Sequence, residues 1–398
     1  MKMLREGGAF RGAAARIAEG SPLAALWTFP AMIGAAFVVA WGAEAAEFLM
    51  SQGLALAMLA LIQTMPEFAV EAVIAWKAGK SPDMVHLAIA NFTGSLRLLT
   101  GFGWPMIYAV AAWSSRRRHG RPLGRIVLAD DHAVEVLGLL PPLSYFVVVW
   151  WKGSLSLVDS VFLIGTYVAY LVVLLRMPPR AETTEEDDEV PAVSRWALSF
   201  TGWKRWAAVI GLFVAGGAII FVVAEPFLAS MMALAASFGI SQFVFIQWVA
   251  PFVSEFPEKT SAFAWARRIT RAPVALLNMV SSNINQWGVL SGLLAVIYCV
   301  SHGDTSALPF DEFQRLEILL TILQAFLGWI FLASMSFEAY EAAGLFVLWL
   351  IQFVRPTLRH DMVWVYAAWI AVELLLVAVG KKRIGAFSAF ARSWKGRG

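Results

Sequence analysis

Apolar residues form long runs along this chain, and short polar segments separate one run from the next. A helix needs about 20 residues to cross the ~30 Å hydrocarbon core of a bilayer. The first half of the chain has apolar runs at 24–49, 54–77, 83–112, 133–151 and 155–176. The second half has runs at 206–229, 241–264, 273–300, 317–336 and 341–354, with a further one at 362–380. The pattern predicts an all-α integral membrane protein with 10 transmembrane helices, arranged as two five-helix repeats, plus one extra C-terminal helix.

The composition favours the same class of protein. Of the 398 residues, 59% are hydrophobic and only 15% are charged, which is typical of a multi-pass membrane protein. Cys299 is the single cysteine, so the chain can form neither an intramolecular disulfide nor a cysteine-rich metal site. The net charge of +3 needs no nucleic-acid partner, because basic residues concentrate in the loops of membrane proteins. The expected partner is therefore the lipid bilayer, and the expected location is the cell membrane.

Polar segments divide the chain into five parts. The first is an N-terminal arm, which has several basic residues but lacks the continuous apolar region of a cleaved signal peptide. The central polar segment contains an acidic cluster and several prolines, which indicates a solvated cytoplasmic linker; a regulatory ion-binding loop is the alternative. The predicted parts are the arm 1–22, a first membrane repeat 23–176, the linker 177–205, a second membrane repeat 206–354, and an extra helix with a basic tail 355–398.

The distribution of lysine and arginine predicts the orientation in the membrane. These residues concentrate at 114–125, 176–205 and 265–272 and in the tail from Lys381 onward. If all the predicted spans cross the membrane, these segments share one side. The positive-inside rule places that side in the cytoplasm and the N-terminus outside, although the basic residues of the arm favour the opposite orientation.

The same Pro-Glu pair occurs inside one apolar run of each half, as Pro66-Glu67 and as Pro257-Glu258. A charged group at the centre of a bilayer costs roughly 2.5 to 3.5 kcal/mol, so a carboxylate kept there indicates a function. Proline removes one helix hydrogen bond and leaves a backbone oxygen without its donor. A carboxylate next to free carbonyl oxygens is typical of a cation site.

The two halves match in the next run as well. A stretch of small polar residues interrupts it in each half, as Asn91-Phe92-Thr93-Gly94-Ser95 and as Asn278-Met279-Val280-Ser281-Ser282-Asn283. An odd number of spans in each repeat gives the two repeats opposite orientations in the membrane, as in many secondary transporters. In those proteins the ion site lies where the repeats meet.

These segments resemble the α-repeats of the sodium/calcium exchanger superfamily, of which this chain looks like a divergent member. Residues 60–98, within a first α-repeat at 54–112, are similar to the Gly-Thr-Ser-x-Pro-Glu turn and the following Gly-Ser-Asn stretch of that family. Residues 251–287, within a second α-repeat at 241–300, are similar to its second copy. The resemblance implies a secondary active antiporter, not an enzyme, in which competing inorganic cations share one site at mid-membrane and reach it from alternate faces.

The resemblance also implies the residues of the site. Glu67 and Glu258 would be the central cation-binding and metal-ligating carboxylates. The supporting ion-binding positions would be Gln63, Thr64, Ser254, Glu255, Ser95, Ser282 and Gln286. Carboxylate, hydroxyl and carbonyl oxygens are the ligands that calcium prefers, and sodium accepts the same groups. No organic cofactor is expected, and the apolar runs contain no nucleotide-binding motif that would indicate ATP-driven transport.

Several positions depart from the family pattern. Leu99 and Gln286 stand where most members have asparagine or aspartate, and Lys259 follows Glu258. Arg97 lies two positions after Ser95, where it would tune the site by offsetting one negative charge; alternatively it snorkels or pairs with a structural acid such as Glu44 or Glu47. Calcium, sodium and protons all stay open as the transported ions. A sensor or scaffold that keeps the fold without transport is the alternative function.

Overall fold

Helices make up nearly all of the chain in the computed structural model, which describes residues 21–49, 61–62, 64–177 and 191–395. Gln63, one of the predicted ion-binding residues, lies outside the described residues. The helices of the first half are α1 Ala25–Glu47, α2 Met65–Lys80, α3 Val85–Leu98, α4 Trp104–His119, α5 Ala133–Gly138, α6 Leu140–Lys152 and α7 Leu157–Leu175.

The second half follows the same order of elements after a short helix, α8 Ala192–Leu198. Its helices are α9 Trp203–Ser237, α10 Gln242–Ser254, α11 Phe256–Ala266, α12 Ala272–Asn285, α13 Ser291–His302, α14 Glu312–Leu332 and α15 Ala339–Val354. Two further helices, α16 Arg359–Ala378 and α17 Ala386–Lys395, end the described chain. The first helices of the two halves, α1 and α9, pack along each other, and the hydroxyls of Thr28 and Ser230 meet at 2.8 Å between them.

One long helix in each half contains a π-helical turn at the corresponding place. Leu99–Gly103 joins α3 to α4, and Gln286–Leu290 joins α12 to α13. Each turn begins four residues after the serine of the polar stretch, Ser95 or Ser282. A π turn holds one extra residue and is frequent at functional sites. The side chains that follow the two serines therefore point in directions that a regular helical period does not give.

In the described part of the chain, four short strands connect the ends of the two halves: β1 Arg125–Val127, β2 Ser154–Leu155, β3 Leu308–Pro309 and β4 Ser336–Glu338. The pairing is crossed, because β1 pairs with β4 and β2 pairs with β3, both antiparallel. Each pair thus joins a connection of the first half to a connection of the second half. An ion pair between Asp130 and Arg392 also brings the C-terminal tail to the end of the bundle that holds β1.

Seven helical segments among the described residues are long and apolar enough to cross a membrane: Pro22–Ala46, Asp130–Lys152, Leu157–Leu175, Trp203–Ser237, Ile269–His302, Glu312–Leu332 and Pro356–Ala378. The chain is therefore a multi-pass integral membrane protein. Helices α10 and α15 are apolar but shorter. The predicted run 241–264 is divided at Glu255, where α10 ends and Pro257 starts α11. The count of 10 transmembrane helices stays a prediction.

The segment between the halves is not a solvated linker throughout, which corrects part of the prediction for 177–205. Helix α8 packs against α1, and its Ala197 is buried with Ala45, Ala46 and Val209. The Ser194 hydroxyl donates to the carbonyl oxygen of Trp41 at 3.0 Å. Small residues on one face of α8 allow this close approach, so the second part of the segment is docked on the membrane bundle.

Candidate ion-binding site

Both Pro-Glu pairs lie at the start of a helix inside the bundle. Pro66 is in the first turn of α2 and Pro257 is in the first turn of α11, where a missing backbone N–H costs little. Glu67 and Glu258 follow directly, so both carboxylates lie in the first helical turn. The helix dipole stabilises negative charge at that end. The local sequence thus forms a helix start that tolerates a buried carboxylate.

Glu67 is fully buried and accepts hydrogen bonds from both halves of the chain. The amide nitrogen Nδ2 of Asn91, on α3, donates to its Oε1 at 2.7 Å. The hydroxyl of Ser254, at the end of α10, donates to its Oε2. Two of the predicted site residues, Glu67 and Ser254, are therefore in direct contact, although 187 residues separate them in the sequence.

Glu255 is the corresponding meeting point on the other side of the site. Its carboxylate accepts a hydrogen bond from the hydroxyl of Ser95 and another, at 2.8 Å, from the amide nitrogen Nε2 of Gln286. Lys259, one helical turn later, forms a buried ion pair with it at 2.5 Å. Each half therefore supplies a serine hydroxyl to a carboxylate of the other half.

A glycine lets α3 come close enough to α10 for these contacts. A Cβ atom built on Gly94 would lie 1.8 Å from the backbone oxygen of Gln247. No side chain can be accommodated at that distance, so only glycine permits this helix crossing. Gly94 directly precedes Ser95, and the close crossing brings the Ser95 hydroxyl to Glu255.

Glu258 differs from Glu67 and Glu255 because its carboxylate accepts no hydrogen bond from the described residues. The side chain is 2% exposed, yet neither carboxylate oxygen has a hydrogen-bond partner among the described residues. The hydroxyl of Ser282 lies next to it without hydrogen-bonding geometry. The side-chain oxygens of Asn283 and Gln286 also have no donor in this part of the chain. Buried polar oxygens are normally paired, so the two oxygens of Glu258 are suited to hold a cation.

Thr64 lies at the site through a residue that the sequence analysis did not single out. Asn285 donates from its Nδ2 to the Thr64 hydroxyl at 2.5 Å, and that hydroxyl donates to the carbonyl oxygen of Leu61 at 2.9 Å. The family pattern pointed to Gln286 as the position one turn after Ser282. Asn285 and Gln286 are consecutive and point in different directions, so they reach different partners, Thr64 and Glu255.

The donor set limits what this site can hold. Within the described residues, no three carboxylate, imidazole or thiol groups converge to form a metal site by themselves. A cation between Glu67 and Glu258 would therefore also use hydroxyl, amide or backbone oxygens. Calcium and sodium both accept such neutral oxygen ligands.

Arg97 does not contact these glutamates, which corrects the prediction that it tunes the site by facing them. Its guanidinium forms a buried ion pair with Glu317 on α14 and donates to Oε1 of Gln352 at 2.8 Å. It also lies over the indole of Trp248, 5.2 Å from the ring centre. Arg97 therefore pairs with a structural acid, as the alternative prediction stated. The acid is Glu317 and not Glu44 or Glu47, because α14 packs against α3.

Comparison with known proteins identifies related sequences and structures. The model of the sodium/calcium exchanger protein family matches residues 21–176 and 208–358, two segments that each contain one Pro-Glu pair. No curated protein sequence matched. The crystal structure of the H+/Ca2+ exchanger CAX is similar, with 29% sequence identity and a TM-score of 0.81, over 94% of this chain and 90% of that one.

The sodium-calcium exchanger NCX_Mj shares the fold at lower similarity. Its identity with this chain is 16% and the TM-score is 0.55, over 84% of this chain and 99% of that one. The family match ends at residue 358, so α16 and α17 lie beyond it.

Proposed function

The chain belongs to the sodium/calcium exchanger protein family, and from this premise we propose that it is a secondary active cation antiporter. The observation that carries the proposal is the buried meeting of carboxylates from both halves, in which Glu67 contacts Ser254 and Glu255 contacts Ser95. Glu258 supplies two further oxygens without donors. A cation bound there would replace the missing hydrogen bonds and offset the buried negative charge.

The proposed mechanism is exchange at a shared site. Glu67 and Glu258 would be the central ligands, and Thr64, Ser254, Glu255, Ser95, Ser282 and Gln286 would support them. A divalent cation and its monovalent counter-ions would need the same carboxylates, so they would not bind together in full number. Each ion would then displace the other, with the site opening to one face of the membrane at a time. Ca2+, Na+ and H+ are the candidate ions.

The crossed strand pairing supports the proposal of two inverted five-helix repeats, 23–176 and 206–354. A twofold axis in the membrane plane exchanges the two halves and places equivalent connections at opposite ends of the bundle. The strand after α4, β1, would then lie beside β4, which precedes α15. The strand that precedes α7, β2, would lie beside β3, which follows α13. The pairs β1 with β4 and β2 with β3 have this arrangement.

We expect the basic loops to face the cytoplasm and the N-terminus to face the outside. In a variant whose native thiol is removed by Cys299→Ser, single cysteines at Thr183 and Glu6 would be labelled with a membrane-impermeant thiol reagent. Thr183→Cys should react only from the cytoplasmic side, and Glu6→Cys only from the outside. Arg121→Cys is the control for the cytoplasmic side. Labelling of Thr183→Cys and Glu6→Cys from the same face would contradict this topology.

The function is tested by ion flux in reconstituted vesicles. We expect Ca2+ uptake that depends on an outward gradient of Na+ or H+, and each gradient is tested separately with the other ion held equal on both sides. Vesicles without protein give the background. Uptake at the background level with every combination of gradients, by protein that is folded and inserted, would instead support a sensor or scaffold.

A further inference from the structure

Glu71 is a second buried glutamate of α2 that the proposed exchange site does not use. It lies one helical turn beyond Glu67 and is 2% exposed. The Nδ2 of Asn91 donates to its Oε2 at 2.6 Å, and the same nitrogen donates to Oε1 of Glu67 at 2.7 Å. One amide group thus bridges two buried carboxyl groups.

The remaining oxygens of this bridge have no donor. Oε1 of Glu71 and Oδ1 of Asn91 are both buried, and neither has a hydrogen-bond partner in the described part of the chain. These are two buried oxygens, one acidic and one neutral, on two residues that are hydrogen-bonded to each other. Such oxygens in the interior of a membrane protein are costly unless they bind a proton or a metal cation.

No basic side chain balances Glu71. Lys259, whose ammonium group is buried at the site, is paired with Glu255. Arg97 is paired with Glu317. Lys77, on the same helix as Glu71, is paired with Glu225. The ion pairs found among the described residues do not include Glu71.

The first repeat alone carries this extra acid. When the Pro-Glu pairs are aligned, the position of Glu71, four residues after Glu67, corresponds to Ala262, four residues after Glu258. The cluster has four buried carboxyl groups, those of Glu67, Glu71, Glu255 and Glu258, and one buried ammonium group, that of Lys259. Three acidic groups are therefore in excess, and monovalent cations would neutralise them while no divalent cation is bound.

We propose that Glu71 and Asn91 hold a monovalent cation, beside the divalent-cation position at Glu67 and Glu258. The inference rests on the proposed antiport function and adds one counter-ion to it. This counter-ion occupies the Glu71 carboxylate while the divalent position is empty, and Ca2+ binding at Glu67 and Glu258 displaces it. Protons and Na+ have the same charge and both bind carboxylate oxygens, so the experiment separates them.

Competition binding on the purified full-length protein tests the proposal without requiring turnover. The dissociation constant of Ca2+ is measured against Na+ concentration at fixed pH, and against pH in Na+-free buffer. The slope of log Kd against log concentration gives the number of monovalent ions displaced by each Ca2+. We expect Glu71→Gln to lower this slope by one, either in the Na+ series or in the pH series. A tenfold rise in the concentration of that ion would then increase the Kd of Ca2+ by a factor ten times smaller than in the parent.

The controls separate the role of Glu71 from loss of structure and from failure of the antiport proposal. Glu225→Gln changes an exposed glutamate and should leave both slopes unchanged. If Glu71→Gln does not fold, Glu71→Met removes the charge with an apolar side chain of similar volume and should give the same loss of one ion. Unchanged slopes in both series would overturn the inference, and so would weaker Ca2+ binding at an unchanged slope. Absence of Ca2+ binding by the folded parent would contradict the proposed Ca2+ antiport itself, separately from the role of Glu71.

Discussion

Glu67→Gln and Glu258→Gln are each expected to reduce gradient-driven cation uptake in vesicles to the background of protein-free vesicles. The amide has nearly the shape of the carboxylate, but it cannot balance the charge of a bound cation. The two variants should differ in stability. Among the described residues no group donates a hydrogen bond of good geometry to Glu258, so its neutral replacement removes a buried charge and should leave the melting temperature unchanged or higher. Glu67 accepts from Asn91 and Ser254, so its replacement should lower the melting temperature.

The control for this pair is again Glu225→Gln, because it makes the same chemical change at an exposed carboxylate. It should retain parental uptake. Tracer flux and thermal unfolding are measured on the same preparations, which separates loss of binding from loss of folding. Parental uptake by a folded Glu67→Gln or Glu258→Gln protein would show that the two carboxylates do not form a shared ion site.

The repeated pattern made the membrane class and the family predictable from the sequence. Apolar runs of spanning length depend only on composition, and the Pro-Glu pair occurs in both halves with similar surroundings. The family prediction is confirmed by the match over residues 21–176 and 208–358. The docking of α8 on α1 was not predictable, because a short segment with a few buried small residues resembles a solvated linker. The division of the run 241–264 follows from Pro257, whose effect on helix length the count of spans did not include.

The sequence predicted that similar segments of the two halves meet at the site. It did not predict the individual contacts, which depend on how each helix is rotated about its axis. The pairing of a serine with a glutamate of the other half follows from the meeting of the repeats, although the resemblance alone does not identify which serine contacts which acid. Asn285 and Gln286 are adjacent polar residues, and the sequence does not show which of them faces Thr64 and which faces Glu255. The ion pair of Lys259 with Glu255 has an i, i+4 spacing that could have indicated it.

Arg97 illustrates a further limit of sequence reasoning. Its position next to Ser95 suggested contact with the ions, but a helical residue two positions further on points to another side of the helix. Its partner, Glu317, is 220 residues away. Glu317 also binds the guanidinium of Arg359 and accepts from Nε2 of Gln247 at 2.7 Å. Since Arg359 begins α16, this buried acid joins the first repeat to a helix beyond the family match.

Replacement of Glu317 is accordingly expected to have the largest effect on stability. Removing one member of a buried ion pair costs about 3–5 kcal/mol, because the other charge stays buried without a partner. Glu317→Gln would leave two guanidinium groups, Arg97 and Arg359, without their acid. We expect a loss of stability of that size, seen as a lower melting temperature of the purified protein and as lower yield of folded protein.

Arg97→Met should also be destabilising, but less than Glu317→Gln, because Glu317 keeps its ion pair with Arg359 while the ion pair with Arg97 and the bond to Gln352 are lost. Arg97→Lys is the matched control, since it keeps the charge but cannot donate in two directions as a guanidinium does; its loss should be smaller. The double variant Arg97→Met with Glu317→Gln should lose less stability than the two single losses added, because the charges act on each other.

The same variants decide whether Arg97 acts on the ions or on the helices. Its guanidinium is paired with Glu317 and does not contact Glu67 or Glu258, so ion selectivity should not change when the charge is removed in a folded Arg97→Met protein. Measured by Ca2+ and Na+ competition, the parent and this variant should give the same selectivity while their melting temperatures differ. A folded Arg97→Met protein with parental stability but stronger divalent binding would show the reverse, that the arginine limits the charge the site can carry and that its pairing with Glu317 contributes little to the fold.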